Sequence, residues 1–247
     1  MSGVTNTIDP DNPTQILMVI ANAAVSTTLG GPVGFWGAEL THAYHAFIDA
    51  GYLVTIASPD GGPCRLDSLS DPRDPSRYSH PDLITMGFIH TPELWSLVEE
   101  TPALPTVDLA PFAAIVVVGG QSPMFTFRGH PALQVAIRAF YEARKVTAAL
   151  CHGTAALIDV TLADGSFLIA GKTMTGFANV EEDYADALTG ARVMPWRIED
   201  AARERGANYV HGGRFKAFAV RDGRLITGQQ QFSGAATAAL VIAALGA

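Results

Sequence analysis

Hydrophobic residues fall into short continuous runs along this chain, and segments with helical spacing separate the runs. Apolar runs at 15–21, 54–57, 113–118 and 146–150 have the length of buried strands, and the third contains the longest β-branched run in the chain. Apolar residues recur at helical intervals in the segments between them. Helices are predicted at 38–50, 91–100, 131–144 and 233–245.

The alternation of fully apolar strands with helices predicts a parallel sheet that is covered by helices on both faces. Shorter strands are predicted after about residue 165, at 167–170, 172–174, 215–220 and 225–227. No linker or change in composition divides the chain convincingly. We therefore expect a single α/β domain over residues 1–247.

One polar segment interrupts this pattern. Residues 65–82 are rich in Asp, Pro and Ser and read as a loop. Long loops inside compact domains often cover functional sites. A surface insertion or lid is therefore expected around residues 65–100.

The composition excludes several classes of protein. Of 247 residues, 48% are hydrophobic and 16% are charged, which is enough apolar material for a substantial core and excludes general disorder. The formal net charge of −8, with no basic run, argues against binding to nucleic acid or to an anionic membrane. Although the mean hydropathy is +0.21, no apolar run approaches the roughly 18 residues that a membrane span requires.

The beginning of the chain and the cysteine count bear on the compartment. Residues 1–14 are polar and lack a basic region followed by an apolar one, so no secretion signal is predicted and a cytoplasmic location is expected. Two cysteines, Cys64 and Cys151, are too few for a disulfide scaffold or a four-cysteine zinc site. Each is expected to be a free thiol, and Cys64, in a glycine-rich turn, is interpreted as structural or incidental.

The most informative segment is Cys151-His152-Gly153, which follows directly on the predicted strand at 146–150. Open α/β sheets bind ligands at the carboxyl ends of their strands, and the start of the following helix favours a thiolate. Gly153 permits the sharp turn that a nucleophile elbow requires. Cys151 is thus a candidate nucleophile with His152 beside it; the alternative is a buried cysteine that acts as a small hydrophobe.

Two glycines end the preceding strand. Gly119 and Gly120 leave backbone amides free to face a crevice, where they can form an oxyanion hole with the amide of His152. Two glycines after a strand are also common in simple turns.

Two sets of carboxylates are candidate acid–base groups. Glu39 lies in an apolar helical stretch, where it is either on the solvent face or buried for a functional reason. The acidic cluster at 176–183 can supply a carboxylate that orients His152, and it also fits the first turn of a helix.

The histidines do not form a recognisable metal-binding pattern. His42 and His45 are three residues apart on a predicted helix near Glu39, but a third ligand at a telling spacing is missing. No metal site is predicted, and the phosphate-loop and dinucleotide-binding glycine patterns are absent from the sequence.

An ordered set of short motifs extends over about residues 15–245. They are Gly34-x-Trp36-x-x-Glu39, Val54-x-x-Ala57-Ser58-Pro59-x-Gly61-Gly62, Val116-Val117-Val118-Gly119-Gly120, Phe140-Tyr141-Glu142-Ala143-x-Lys145-Val146, Ala149-x-Cys151-His152-Gly153, Asp164-Gly165-Ser166, Gly171-Lys172-x-x-Thr175-Gly176-Phe177, Glu181-Glu182 and Asp222-Gly223-x-Leu225-Ile226-Thr227-Gly228-Gln229. Together they resemble the ThiJ/PfpI superfamily, which is related to class I glutamine amidotransferases, and specifically its larger branch of heat-inducible chaperones and glyoxalase III proteins.

The resemblance implies a flavodoxin-like three-layer α/β sandwich with Cys151 at a nucleophile elbow. It further implies that Glu182 orients His152 and that Glu39 touches the thiol. Gly120 and His152 would supply oxyanion amides, and Gln121 would lie where the substrate sits. No cofactor is implied, and by analogy the protein would be a homodimer.

The expected activity is a cysteine-dependent, cofactor-independent conversion of a 2-oxoaldehyde such as methylglyoxal to a 2-hydroxy acid. The chain departs from the glyoxalase pattern at Gln121, Thr154 and 230–231, which bears on the substrate more than on the nucleophile. Two alternatives stay open. One is a hydrolase or hydratase acting on an amide or isocyanide, and the other is a non-catalytic chaperone or redox sensor.

Overall fold

A computed structural model describes residues 13–246 of the chain. The prediction of no secretion signal, drawn from residues 1–14, rests mainly on residues outside this range. The strands are β1 Gln15–Val19, β2 Ala24–Val25, β3 Pro32–Val33, β4 Leu53–Ala57, β5 Phe112–Val117, β6 Val146–Leu150, β7 Thr173–Met174, β8 Asn208–Tyr209, β9 Ala219–Asp222 and β10 Leu225–Gly228.

The α-helices alternate with these strands. They are α1 Gly37–Asp49, α2 Leu83–His90, α3 Pro92–Glu99, α4 Pro123–Thr126, α5 Pro131–Glu142, α6 Asn179–Thr189, α7 Ile198–Glu204 and α8 Gly234–Leu245. Short 3₁₀ helices occur at Ser68–Ser70, Leu104–Thr106, Cys151–Leu157 and Gln231–Ser233.

Six strands form the central sheet in the order β4-β1-β5-β6-β10-β9. All neighbouring pairs are parallel except β10 and β9. Because both faces are buried, the central strands are apolar at consecutive positions. In β1, Ile16 and Met18 pack into one core with α1 and α8, whereas Leu17 and Val19 pack into the other with α5. The predicted flavodoxin-like α/β architecture, with helices on both faces of a mostly parallel sheet, is confirmed.

Two of the shorter predicted strands were wrong. Residues 167–170 form a turn with an isolated bridge between Thr161 and Phe167, and Leu168 and Ile169 are apolar because they are buried in the core beneath it. The predicted strand at 215–220 begins only at Ala219. Phe215 has a φ of 53°, in the left-handed region, and therefore cannot continue an extended strand.

The segment at 65–100 is more structured than its composition indicates. Residues 65–82 contain only a 3₁₀ turn, but α2, which was not predicted, follows at once. Asp82 caps α2 by accepting a hydrogen bond from the Thr85 amide at 3.1 Å. Asp67, near the start of the segment, is buried against the body of the fold. The role of this segment as a lid stays a prediction.

No helix within residues 13–246 is both long enough and apolar enough to span a bilayer.

Candidate active site

Cys151 lies at the abrupt bend between β6 and the 3₁₀ helix Cys151–Leu157. Its φ of 54° is in the left-handed region, which residues with a Cβ rarely adopt. Gly153 makes the bend possible, because a Cβ there would lie 2.7 Å from the carbonyl oxygens of Val117 and Val118. The local sequence therefore holds the sulfur at the carboxyl end of the sheet, as predicted for a nucleophile elbow.

Glu39 lies beside this cysteine and is completely buried in the first turn of α1. Its Oε2 accepts a hydrogen bond of 2.8 Å from the Gly119 amide. Its Oε1 has no conventional hydrogen bond to the described residues, although the carboxyl is close enough to interact with the Cys151 thiol. Burial raises the pKa of Glu39 from its ordinary 4.5 to about 8, against the opposing effects of the thiol and of the Gly119 amide.

The sulfur and the Glu39 carboxyl form a coupled pair. Burial, and then the charge of Glu39, raise the pKa of the Cys151 thiol well above its ordinary value. The expected stabilisation of the thiolate by the start of the helix is present, because the His152 amide bonds to the sulfur and lowers that pKa, but it is the smaller effect. The thiol and the carboxyl therefore titrate as a coupled pair, and the sulfur is not held as a permanent thiolate.

His152 connects the sulfur to Glu182. Its Nδ1 is 3.8 Å from Sγ of Cys151, and its Nε2 is 2.9 Å from Oε1 of Glu182. Both side chains are buried, and the imidazole stacks on Phe177 with ring centroids 4.2 Å apart. This packing leaves the ring in one orientation, between the thiol and the carboxylate.

The two adjacent acids of the predicted cluster have different partners. Glu182 contacts His152, whereas Glu181 accepts hydrogen bonds from the amides of Ala178 and Phe215 and from the side chain of Gln229. Both belong to the first turn of α6, where negative charge is favourable. The helix-start interpretation of this cluster is confirmed, and Glu182 lies in position to orient His152, a role that stays a prediction.

Three consecutive amides after β5 were candidates for binding substrate. The Gly119 amide is occupied by Glu39, and the Gln121 amide donates to Oδ2 of Asp67 at 2.6 Å. No described residue accepts a hydrogen bond from the Gly120 amide. Gly120 has a φ of 114°, and a Cβ there would lie 2.5 Å from the Trp36 nitrogen, so glycine is required for this turn.

Asp67 is a site residue that the sequence analysis missed. Its two carboxylate oxygens accept hydrogen bonds from the amides of Gly34 (2.8 Å) and Gln121 (2.6 Å), and so connect the loop before α1 to the loop after β5. Burial raises its pKa from 3.8 to about 7, although the two amides and the charge of His152 oppose the shift. No sequence signal distinguishes Asp67 from the other aspartates of its polar segment.

A cavity of about 150 Å³ opens onto Cys151, His152 and Glu182. We call it the reactive cavity. Its wall is mainly aromatic and aliphatic, and the side chain of Gln121 also lines it. The aromatic residues of the wall are Trp36, Tyr78, Phe177, Tyr184 and Phe215. Such a cavity suits a small, mostly apolar molecule with one polar reactive end.

The remaining cysteine and the histidines of α1 lie outside this cavity. Cys64 is buried, with Asn22 Nδ2 at 3.9 Å and the Thr101 hydroxyl at 3.8 Å from its sulfur. His42 bonds to Asp82 at 2.9 Å, and His45 packs edge-on against Tyr44. Among residues 13–246, no group of three or more His, Cys, Asp or Glu side chains is arranged to hold a metal ion.

Comparison with known proteins places this geometry in a family. The model of the DJ-1/PfpI family matches residues 33–243. The glutathione-independent glyoxalase hsp3101 of Schizosaccharomyces pombe is 27% identical over 86% of this chain and 88% of its own length. The probable glutathione-independent glyoxalase hsp3103 of the same yeast is 30% identical, but the match spans only 58% of this chain and 57% of that relative.

A solved structure extends the similarity to three dimensions. Glyoxalase III from Candida albicans superposes with a TM-score of 0.80 at 25% identity, covering 94% of this chain and 97% of that one. The family match covers five of the six strands of the central sheet, all but β1, together with the cysteine elbow, Glu39 and Glu182. This chain therefore belongs to the DJ-1/PfpI family.

Proposed function

We propose that this protein is a glutathione-independent glyoxalase that converts a 2-oxoaldehyde, such as methylglyoxal, to the corresponding 2-hydroxy acid. The observation that carries the proposal is the position of the Cys151 sulfur between the buried Glu39 carboxyl and the His152–Glu182 pair. The names of the similar yeast and Candida proteins support the same reaction.

The reaction begins with addition of sulfur to the aldehyde. The thiol proton leaves Cys151 for Nδ1 of His152, and the sulfur attacks the aldehyde carbon to form a hemithioacetal. The Gly120 amide is the uncommitted backbone donor for the oxygen that gains charge. The proton then returns from His152 to this oxygen, so no charge remains on the adduct.

Glu39 carries out the proton transfer between carbons. As a carboxylate it removes the hydrogen from the carbon that holds sulfur, and it returns the proton to the neighbouring carbon. The hydroxyl proton on the first carbon moves to the oxygen of the former ketone, so the first carbon is oxidised to a thioester while the ketone is reduced to an alcohol, and protons and electrons balance within the substrate. Water then cleaves the thioester, which releases the 2-hydroxy acid and regenerates the thiol. A carboxyl whose pKa is about 8 suits both halves of this transfer near neutral pH.

The test is lactate formation from methylglyoxal without glutathione. Wild-type protein should form lactate, whereas Cys151→Ala and Cys151→Ser should form none while their unfolding curves show an intact fold. Cys64→Ser is the matched control, since Cys64 is the other buried free thiol and lies outside the reactive cavity. Wild-type protein without turnover, or Cys151→Ala with full turnover, would overturn the proposal.

A substrate panel separates this reaction from amide hydrolysis and isocyanide hydration, which a nucleophilic thiol can also support. The expected result is Cys151-dependent turnover of 2-oxoaldehydes only. The homodimer and the cytoplasmic location remain predictions; sedimentation and cell fractionation would test them.

A further inference from the structure

A second, larger cavity adjoins the reactive cavity. It measures about 690 Å³, and we call it the outer cavity. Trp36, Tyr78 and Gln231 line both cavities and so form a common wall between them. The Tyr78 ring packs edge-on against Trp36, with centroids 6.1 Å apart, and its hydroxyl accepts a hydrogen bond of 3.2 Å from Gln231.

The outer cavity has an apolar and unusually exposed lining. Leu83, Ile84 and Phe232 are 77%, 43% and 56% exposed, although large apolar side chains are normally buried. A cluster of such residues around a concavity marks a binding surface. Its polar pair, His42 and Asp82, is already satisfied, because the two bond to each other at 2.9 Å.

Among the described residues, no lysine or arginine lines either cavity. Glu182 faces the reactive cavity and Asp82 faces the outer one, and the lining histidines, His152 and His42, are already bonded to these carboxylates. An anionic ligand would therefore meet carboxylates without a free cation to pair with. A neutral ligand carries no such penalty.

The reactive cavity is also small. Its volume of about 150 Å³ is much smaller than that of the outer cavity. A substrate much longer than methylglyoxal that reacts at Cys151 can extend past the common wall into the outer cavity, and Tyr78, which is 52% exposed, is the side chain of that wall with the most room to move.

We propose that the outer cavity is a substrate subsite that binds the alkyl or aryl tail of a neutral carbonyl compound whose reactive end lies at Cys151. The inference rests on the proposed function for the identity of the reactive end, a 2-oxoaldehyde. The place and the neutral, apolar character of the tail are inferred from the shared wall, the exposed apolar lining and the absence of lysine and arginine among the lining residues.

The first test compares kcat/KM for 2-oxohexanal and methylglyoxal. A fully buried methylene is worth about fourfold in affinity, so three partly buried ones should favour the longer aldehyde by roughly tenfold. Phe232→Ala should reduce this preference to near unity. Val135→Ala is the matched control, because Val135 is a 64% exposed apolar residue on α5 that lines neither cavity, and it should retain the preference. A 2-oxoaldehyde of equal length that ends in a carboxylate should lose it.

The second test does not depend on turnover. The binding of hexane-1,2-diol and propane-1,2-diol to Cys151→Ala is measured by NMR titration, with and without Phe232→Ala. Preferential binding of the longer diol, abolished by Phe232→Ala, supports the subsite even if no 2-oxoaldehyde is turned over, in which case only the proposed function fails.

Equal affinity for both diols, or an unchanged preference in Phe232→Ala, overturns the subsite while methylglyoxal turnover stands. Sedimentation supplies the remaining outcome. If Phe232→Ala converts a dimer to a monomer, the outer cavity is covered by a second copy of the chain and the proposal is wrong.

Discussion

Nε2 of His152 donates a hydrogen bond of 2.9 Å to Oε1 of Glu182. Because a carboxylate can only accept, this bond keeps the ring proton on Nε2 and leaves the lone pair of Nδ1 facing the Cys151 sulfur 3.8 Å away. The tautomer that can accept the thiol proton is therefore set by a carboxylate on the far side of the ring, much as in other nucleophile–histidine–acid sites.

Replacing this carboxylate should weaken catalysis without unfolding the protein. In Glu182→Gln, the amide can donate to Nε2, which favours the wrong tautomer. We expect kcat to fall by about 10²- to 10⁴-fold with little change in KM. Asp183→Asn is the matched control, since Asp183 is the next residue on α6, is 72% exposed and pairs only with Arg197 at the surface. Equal rates for Glu182→Gln and wild type would contradict the assigned role.

Glu39 should control the ionisation of the Cys151 thiol. Its charge and its interaction with the thiol both raise the pKa of Cys151. Glu39→Gln removes the charge, so the thiolate should appear at lower pH than in wild type, even though turnover falls. The measurement is the rate of Cys151 alkylation as a function of pH, made in a Cys64→Ser background so that a single thiol reacts.

The same titration distinguishes Glu39 from Asp67, another buried acid of the site. Asp67 is held by two amides, and its charge raises the pKa of Glu39, whereas the charge of Glu39 acts on Cys151 itself. Asp67→Asn should therefore move the alkylation midpoint less than Glu39→Gln does. A midpoint that stays unchanged, or rises, in Glu39→Gln would show that the two side chains are not coupled.

Sequence patterns were enough to predict the architecture and the place of the candidate nucleophile. Strands such as Val146–Leu150 are apolar at every position because both faces of the sheet are covered, and the carboxyl end of such a strand is where an α/β sheet exposes its reactive groups. The position of Cys151 after β6 was therefore predictable from periodicity alone.

The partners of that nucleophile were less accessible to sequence reasoning. Glu181 and Glu182 are chemically identical neighbours, and only the direction in which each leaves α6 decides that one contacts backbone amides and the other His152. Asp67 reaches the site through a turn that no periodicity describes. Phe215 looks like a strand residue, but its positive φ ends the extended backbone.

Asp67 should act as a positioning residue for the loop that carries Gly120. In Asp67→Asn, the side-chain oxygen can still accept a hydrogen bond from one of the two backbone amides. The side-chain NH₂ group then faces the N–H of the other amide, and neither can accept. An unsatisfied buried amide costs about 1–3 kcal/mol, so the free energy of unfolding in urea should fall by that amount at pH 4, where loss of the ionisable group with its raised pKa offsets little of the cost. Displacement of the Gly120 amide should also reduce kcat by roughly tenfold, whereas KM changes less.

The control for Asp67→Asn is Asp71→Asn. Asp71 is in the same segment but pairs with Arg73 at the surface, where ion pairs contribute about 0–1 kcal/mol or nothing measurable. A loss of stability in Asp67→Asn with unchanged kcat would assign Asp67 a purely structural role.

Burial of Glu39 should make the protein less stable as the pH rises. A group whose pKa is higher in the folded state, about 8 against 4.5, binds more protons when folded over that interval, so the free energy of unfolding falls from about pH 5 to pH 8. The Glu39→Gln side chain cannot ionise, so the free energy of unfolding of this variant should rise relative to that of wild type by on the order of 2–4 kcal/mol across this window.

Urea unfolding at pH 5 and pH 8 measures the difference. Glu93→Gln, at an exposed glutamate in the first turn of α3, is the control and should keep the wild-type slope. Since Asp67, with a pKa of about 7, destabilises the fold in the same direction, Glu39→Gln should flatten the dependence without abolishing it. Parallel curves for Glu39→Gln and wild type would mean that Glu39 is already ionised in the folded protein at pH 5, and would remove the basis for its role as a neutral-pH proton carrier.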